Sequence, residues 1–598
     1  MSSPEISGAL LVPEILTAVG QHLSRMDFLQ AVLVSRSWHA QLIPLLWHTL
    51  ALPRRWRIIM ATANDSPSSG YPDSTVFKKY AHLVRSLACN NIEYHLHYLV
   101  PFCNQLTELD IADLTEKSLP LLQLNTATLT SIRFERERER FERPFGVKQF
   151  LQVMNKCPFL DRLRLVNFQI QNEDEDKDQV RGLGNQWSQR DQRQGYSLPK
   201  ITMPAIAHTE TAEVSRTNAI ALFYQLVYQL STLELVRSTL DMLPLQTSVF
   251  YRLQKLSLLE ISMAYKDQLV LVSRCQYLTH LKLRLTRESE RLDLEHLASV
   301  ELEVSCPNIT HLDLSWSTLK DQEIAAMLEY LPHLISFHAQ RTNIGETTVA
   351  MLTNPTSRIK DQLQELDLVD AREMQSAWIQ RLLCSCSGLR RFRATKMNAR
   401  DIVHAAVSAT VESNNHSSTT LSIPVSGWGC LQLQELQLSI IGLPTTRSQS
   451  SYSRLPSSPY VCQQQLVIYE QLSRLTQLQV LSLGGNCMST WFRIGTLDLS
   501  LRSGFGQLRT LKELQVFNFS YMAHDLGMNE VEFMMEHWKK LRRVVGTVGV
   551  GLDEDRDRRT DSGVEGEAGV HGRWLKPKVE RHEIYIHRKW PLVQFSST

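Results

Sequence analysis

The sequence predicts an α/β chain in which a short all-α segment precedes a long solenoid, with parallel strands inside and helices outside. Three observations predict it. A leucine pattern recurs along most of the 598 residues. Inside each copy apolar and polar residues alternate, as a half-buried strand requires. Near the N-terminus that alternation is absent and the apolar residues fall at helical spacing instead.

The N-terminal segment, residues 8–50, reads as three or four short helices. Pro13 and Glu14 suit a first helical turn, and Ile15, Leu16, Val19 and Leu23 give that helix one apolar face. Asp27 is the expected N-cap of a second helix holding Leu29, Val32 and Leu33. Ser35 caps a third, which carries Trp38 and Leu42, and Pro44 begins a further turn with Leu46 and Trp47. A core of that size is marginal alone and leans on a neighbour or partner. Residues 51–79, with "ATANDSPSSGYPDST", are expected to be a linker.

From residue 80 to 550 the pattern L-x-x-L-x-L recurs, with clear copies such as "LTELDI" (106–111), "LDRLRL" (160–165), "LTHLKL" (278–283), "LQELDL" (363–368) and "LKELQV" (511–516). Weaker copies start at Val84, Leu129 and Leu541. Between Leu253 and Leu389 the starts are 25, 31, 25, 29 and 26 residues apart. Each copy supplies one strand, and "STLKDQEIAAMLEYL" shows the returning helix, with Leu319, Ile324, Met327, Leu328 and Leu331 on its inner face. One unit cannot bury its own leucine ladder, so the units must stack. Polar insertions are expected at 171–198, 411–428 and 444–465. The tail, 551–598, is expected to be largely disordered, with a possible terminal strand in "VERHEIYIHRKW".

These copies resemble leucine-rich-repeat proteins, above all the cysteine-containing type, through "CPNITHLDLSWSTLKDQEIAAML". Cys103, Cys157, Cys275, Cys306, Cys386 and Cys430 each stand three positions before the first Leu or Ile of a copy. That places six of the ten cysteines in the repeat register, where a small buried apolar group is wanted. The asparagine slot after the strand is filled only by Asn486; Ser, Thr or bulkier residues stand there elsewhere.

The N-terminal segment resembles the F-box. The matching residues are "LVPEIL" (11–16), Val19-Gly20, Leu23, "DFL" (27–29), "VSRSW" (34–38) and "LLW" (45–47), in order and at the family's spacing. Val12 stands at the usual proline and Gly20 at a common aromatic, and a mid-helix glycine costs about 1 kcal/mol. The resemblance implies docking onto the Skp-type adaptor of an SCF ubiquitin ligase, and through it onto cullin and RING subunits. It assigns the adaptor-facing surface to Leu11, Pro13, Ile15, Leu16, Leu29, Val34, Ser35 and Trp38. Trp47 is expected at the seam between this segment and the repeats. The repeat array would bind a protein target for ubiquitin-dependent degradation, and the chain itself would be a non-catalytic subunit. The alternative is a leucine-rich-repeat interaction scaffold with a divergent F-box, independent of any ligase.

Composition agrees with a protein-binding role. A net charge of +2 gives no global pull toward nucleic acid or an anionic membrane. No apolar run is long enough to span a bilayer and no signal sequence is evident, so cytoplasm and/or nucleus is the expected compartment. "HEIYIH" (582–587) has its histidines five apart rather than the four a helical zinc motif needs. "HLH" (95–97) and "CSC" (384–386) lack partners at metal spacing, and phosphate-binding glycine loops are absent. No cofactor or metal is expected. "FERERERFER" (134–143) is neutral and reads as an exposed salt-bridged segment. On the polar strand face stand Arg162, Arg164, His280, Lys282, Arg284, His311, Asp313, Glu365, Asp367, Arg391 and Arg393. Among these, Lys282, Arg284 and His311 are the expected basic part of a target site for an acidic or phosphorylated segment.

Overall fold

The structure, a computed structural model, describes residues 12–52, 79–89, 102–112, 118–135, 147–170, 219–240, 249–285, 306–404, 427–443, 459–484, 496–520, 522, 526–546 and 594–596. The chain forms two compact units, the first up to Lys282 (with Glu288–Arg291) and the second made of Leu283–Arg287 and Leu292–Thr598.

The first unit opens with three helices: α1 (Pro13–His22), α2 (Arg25–Val32) and α3 (Arg36–His48). Pro13 and Glu14 begin α1 as expected. The cap of α2 is Ser24 rather than Asp27. Its hydroxyl accepts from the Asp27 amide at 3.3 Å, and the Asp27 carboxylate sits in the first turn, where the helix dipole favours it. Ser35 caps α3 and accepts from the Trp38 amide at 3.2 Å. Pro44 starts no new turn but lies inside a continuous α3. The core of this module is Phe28, Ala31, Val32, Leu42 and Ile43, with Leu23, Trp38, Leu45, Leu46 and Trp47 packed against it. Gly20 is buried where α1 crosses α3. A Cβ there would stand 2.9 Å from Leu45 Cδ1 and 3.0 Å from Leu42 Cδ2. The glycine costs helix propensity and in return allows close approach of the two helices.

Helix α3 runs directly into a strand, Thr49–Leu52, which pairs in parallel with Ser86–Cys89. The sheet therefore begins before residue 51, and residues 53–78 of the expected linker lie outside the described residues. Parallel pairing continues through Glu108–Ala112, Ser131–Glu135, Arg162–Val166, Thr232–Val236 and Lys255–Leu259. The weak copies at Val84 and Leu129 thus each supply a strand. Helices Leu119–Leu124, Val147–Met154, Ala219–Val227 and Tyr265–Ser273 return the chain between strands. Their buried faces and the leucines of the strands make one core, with Leu109, Leu163, Leu233 and Leu256 in register and at most 2% exposed.

The second unit repeats the layout. Its parallel strands are His311–Asp313, Ser336–His338, Glu365–Leu368, Arg391–Asn398, Glu435–Ile441, Val480–Ser482, Val516–Asn518 and Arg543–Val545. Helix Asp321–Glu329 buries Ile324, Met327 and Leu328 as its spacing predicts. A last strand, Gln594–Ser596, pairs with Arg543–Val545, later in the chain than the stretch expected to form it. "HEIYIH", "HLH" and Asn486 fall outside the described residues, as do residues 136–143 of the Glu/Arg run. Two expected insertions end sooner than the composition suggests. Helix Pro459–Ser473 takes up residues 459–465, and Trp428 is fully buried, its indole N–H donating to Gln380 Oε1 at 2.9 Å. An apolar indole with a partner for its one polar atom belongs to a core, whatever the polarity of the loop before it.

Each α/β unit is thus a run of leucine-rich-repeat solenoid, and the physical reasons are local. Asn167, Arg237, Glu260, Trp316, Arg341 and Asp370 all have positive φ, and each lies seven positions after the first Leu or Ile of its copy. This left-handed residue turns the chain off the strand. Its amide still bonds the next repeat, as from Arg237 to Leu259 at 2.7 Å and from Trp316 to Gln340 at 2.7 Å. In the next position Ser238 and Ser317 do work that asparagine does in regular repeats. Ser317 accepts from the Leu285 amide at 3.2 Å and donates to the Leu283 carbonyl at 3.0 Å. The register cysteines Cys103, Cys157, Cys275, Cys306, Cys386 and Cys430 are all buried. Burial pushes Cys103, Cys157, Cys386 and Cys430 up to about 12.

Candidate interaction surfaces

The helical module has more apolar surface than its core consumes. Ile15 is 41% exposed, Leu29 42% and Val34 64%, and Val12, Met26 and Leu33 are also exposed. Of the residues assigned to an adaptor-facing surface, Pro13, Ile15, Leu29, Val34 and Ser35 lie on the outside of the module and Trp38 is half-buried against its core. Leu11 lies outside the described residues. Leu16 is a correction: it is fully buried. The inward stripe of α1 runs through Leu16 and Gly20, four residues apart, which turns Ile15 outward.

Trp47 stands at the seam, as expected, and it does so as part of a repeat. Its ring stacks on Tyr80 with centroids 5.5 Å apart. Because Thr49 pairs with Ser86 and Leu50 with Leu87, Trp47 takes the place that Val84 takes in the next copy. The run Trp47, Leu50, Leu52 is therefore a first repeat whose leading leucine is a tryptophan.

The polar strand face is charged but internally paired. Arg162 meets Glu108 at 3.3 Å, Arg164 meets Glu234 at 3.0 Å, and Arg133 meets Asp110 at 3.6 Å. In the second unit Arg393 bridges Glu435 at 2.6 Å and Asp367 at 3.8 Å, and Arg391 pairs with Glu365. Parallel register puts acid beside base on adjacent strands, or across the small Ser131 for Arg162 and Glu108, so these arginines offer little net field. The expected basic site is not one cluster within a unit. Lys282 belongs to the first unit, and Arg284 and His311 to the second. The Thr310 hydroxyl lies 2.8 Å from His311 Nδ1. The Arg284 guanidinium lies over the Trp316 ring at 5.2 Å, and Arg341 lies over the same ring at 4.1 Å. Trp316 is 44% exposed and holds a left-handed backbone that its counterparts fill with polar residues. An indole in this turn slot is a departure from the repeat that the sequence alone displays.

Among the described residues, no group of three or more His, Cys, Asp and Glu could hold a metal ion. Cys384 of "CSC" is half-buried and Cys386 fully buried. No described helix is long and apolar enough to cross a membrane.

The fold is an α/β solenoid of leucine-rich repeats, preceded by an all-α N-terminal module. The sequence matches no family model and no curated protein. Among solved structures the chain is similar to an internalin of Listeria monocytogenes, at 14% identity over 66% of this chain and 77% of that one, with a TM-score of 0.31. It is also similar to the protein of a TLR13–ssRNA13 complex, at 14% identity over 78% of this chain and 65% of that one, with a TM-score of 0.37.

Proposed function

We propose that the chain is a substrate-recognition subunit that docks through α1–α3 onto a Skp-type adaptor of an SCF ubiquitin ligase and holds a target protein on its repeats. The observation that carries the reading is the exposed apolar set Ile15, Leu29 and Val34, which the module's own core of Phe28, Ala31, Val32, Leu42 and Ile43 leaves outside. Exposed apolar clusters of this kind mark binding faces. In this reading the chain works by recruitment and performs no chemistry, in the cytoplasm or nucleus where such ligases act. Repeats bind proteins through their strand faces and rims. For the target side, the Arg284 guanidinium lies over the Trp316 indole in the second unit, which also holds His311.

The test is direct binding of the purified full-length chain to a purified Skp-type adaptor, followed by gel filtration and calorimetry. Leu29→Asp with Val34→Asp should abolish the complex without unfolding the chain, because both side chains are outside the core. Trp38 is a poorer probe, since it packs on that core. A wild-type chain that forms no complex would remove the ligase reading and leave an interaction scaffold.

A further inference from the structure

The edge of the first unit from which the strands start carries a row of aromatics confined to four neighbouring repeats. Phe159 is 63% exposed, Tyr228 38%, Tyr251 62% and Tyr277 53%. Their adjacency follows from the backbone. The amides of Ser231, Gln254 and Thr279 bond the carbonyls of Asp161, Ser231 and Gln254 in turn, at 2.8–2.9 Å. Phe159, Gln229, Arg252 and Tyr277 therefore share one column of the rim, and Pro158, Tyr228, Tyr251 and Gln276 the next. The two earlier copies place Gln105 with Asn104, and Thr128 with Ala127, in these columns, so the aromatics are not a requirement of the repeat. Tyr228 is braced from behind by buried Phe250, with ring centroids 5.0 Å apart, which fixes it before any partner arrives.

The charge around the row is mainly basic, with Asp161 the acidic residue between Phe159 and Arg162. Lys156, Arg252 and Lys255 are exposed on the same edge. Among the described residues none of them has an ion-pair partner, whereas Arg133, Arg162, Arg164 and Arg237 on the strand face each pair with a carboxylate. Arg274, in the same register as Lys156, has an Nη1 atom that no described group satisfies. Adjacent strands are about 4.8 Å apart, so the row from Phe159 to Tyr277 spans about 14 Å, the length of four or so extended residues.

We propose that this rim binds an extended protein segment in which carboxylate side chains alternate with apolar ones. The apolar groups pack on Tyr251, Tyr277 and Phe159, and the carboxylates meet Arg252, Lys255 and Lys156. Tyrosine and arginine around an exposed apolar centre are the residue types that dominate binding energy at protein interfaces. The inference rests on the proposal that the repeats hold a protein target, and it names a surface and a partner chemistry for it.

The experiment pans a random displayed-peptide library on the immobilised full-length chain and measures the selected peptides by fluorescence anisotropy. Selected peptides should be rich in Asp and Glu interleaved with apolar residues, and should bind more weakly as salt rises. Tyr251→Ala with Tyr277→Ala should weaken them about tenfold or more, as should Arg252→Glu with Lys255→Glu. All four side chains are exposed, and an unchanged circular dichroism spectrum verifies folding. Recovery of no peptide, peptides without acidic enrichment, or binding to either variant as tight as to the wild-type chain would overturn the proposal. So would tighter binding of an oligouridylate through the same residues, which would make the rim a nucleic-acid surface. Failure here with adaptor binding intact removes only the rim; lost adaptor binding with peptides still held removes only the ligase reading.

Discussion

Asp321 ties one repeat to the next, and replacing it with alanine should open a defined site. Its Oδ1 accepts from the amides of Gly345 at 2.8 Å and Thr348 at 3.0 Å, and its Oδ2 from Thr347 at 2.7 Å. These are the first amides of helix Glu346–Thr353, so a residue of one repeat caps the helix of its neighbour. The group is half-buried and water can replace the bond at Thr347, so the loss in Asp321→Ala should be about 2 kcal/mol, the upper end for a lost N-cap. Since 1.4 kcal/mol is a factor of ten, hydrogen exchange at residues 345–348 should speed up about thirtyfold. The effect should be acid-sensitive. Burial opposes ionisation of Asp321, yet the bonds from Thr348, Gly345 and Thr347 outweigh it and hold the carboxyl below its ordinary value. The folded-state value is therefore depressed, and the stabilisation is present above the ordinary carboxylate range and lost as pH falls through the depressed value. In Asp321→Asn that acid dependence should vanish. Unchanged exchange in Asp321→Ala would show that the cross-repeat cap contributes nothing.

Other outcomes follow from packing. Gly20→Val should destabilise residues 13–48 by about 1–3 kcal/mol, because the new side chain meets Leu42 and Leu45 at a helix crossing; faster exchange across α1 and α3 reads this, and a slower rate would refute it. Trp47→Ala should cost about 3 kcal/mol and release both the module and the first strand, which limited proteolysis between α3 and Tyr80 would detect. With an alkylating reagent at neutral pH, Cys384 should be labelled before the register cysteines, since Cys103, Cys157, Cys386 and Cys430 are buried thiols pushed up to about 12. Mass spectrometry of the digest settles the order.

The strands were legible wherever leucine alternation was strong, and even the weak copies at Val84, Leu129 and Leu541 form them. The strand at Thr49 escaped because an indole leads it and because an apparent helical motif already claimed Trp47. Helix Pro459–Ser473 was hidden by glutamines, of which Gln464, Gln465 and Gln471 are buried. A search for apolar spacing cannot find a helix whose inner face is partly amide. The pairing on the strand face is not legible in the sequence for a different reason. Strand alternation tells which residues share a face, whereas neutralisation by Asp110, Glu234 and Glu435 depends on which strand lies next to which.

The passage from α3 to the strand at Thr49 leaves no slack. One end of the segment is clasped by the helical core and the other by the hydrogen bonds to Ser86–Cys89, with Trp47 between them. Swinging the module would require tearing a strand from its sheet. Whatever grips Ile15, Leu29 and Val34 is therefore held at one bearing to the strands that follow. A target on those strands would be presented to it at a reach set by covalent geometry, and lengthening a target's own flexible tail would be the remaining way to alter that reach.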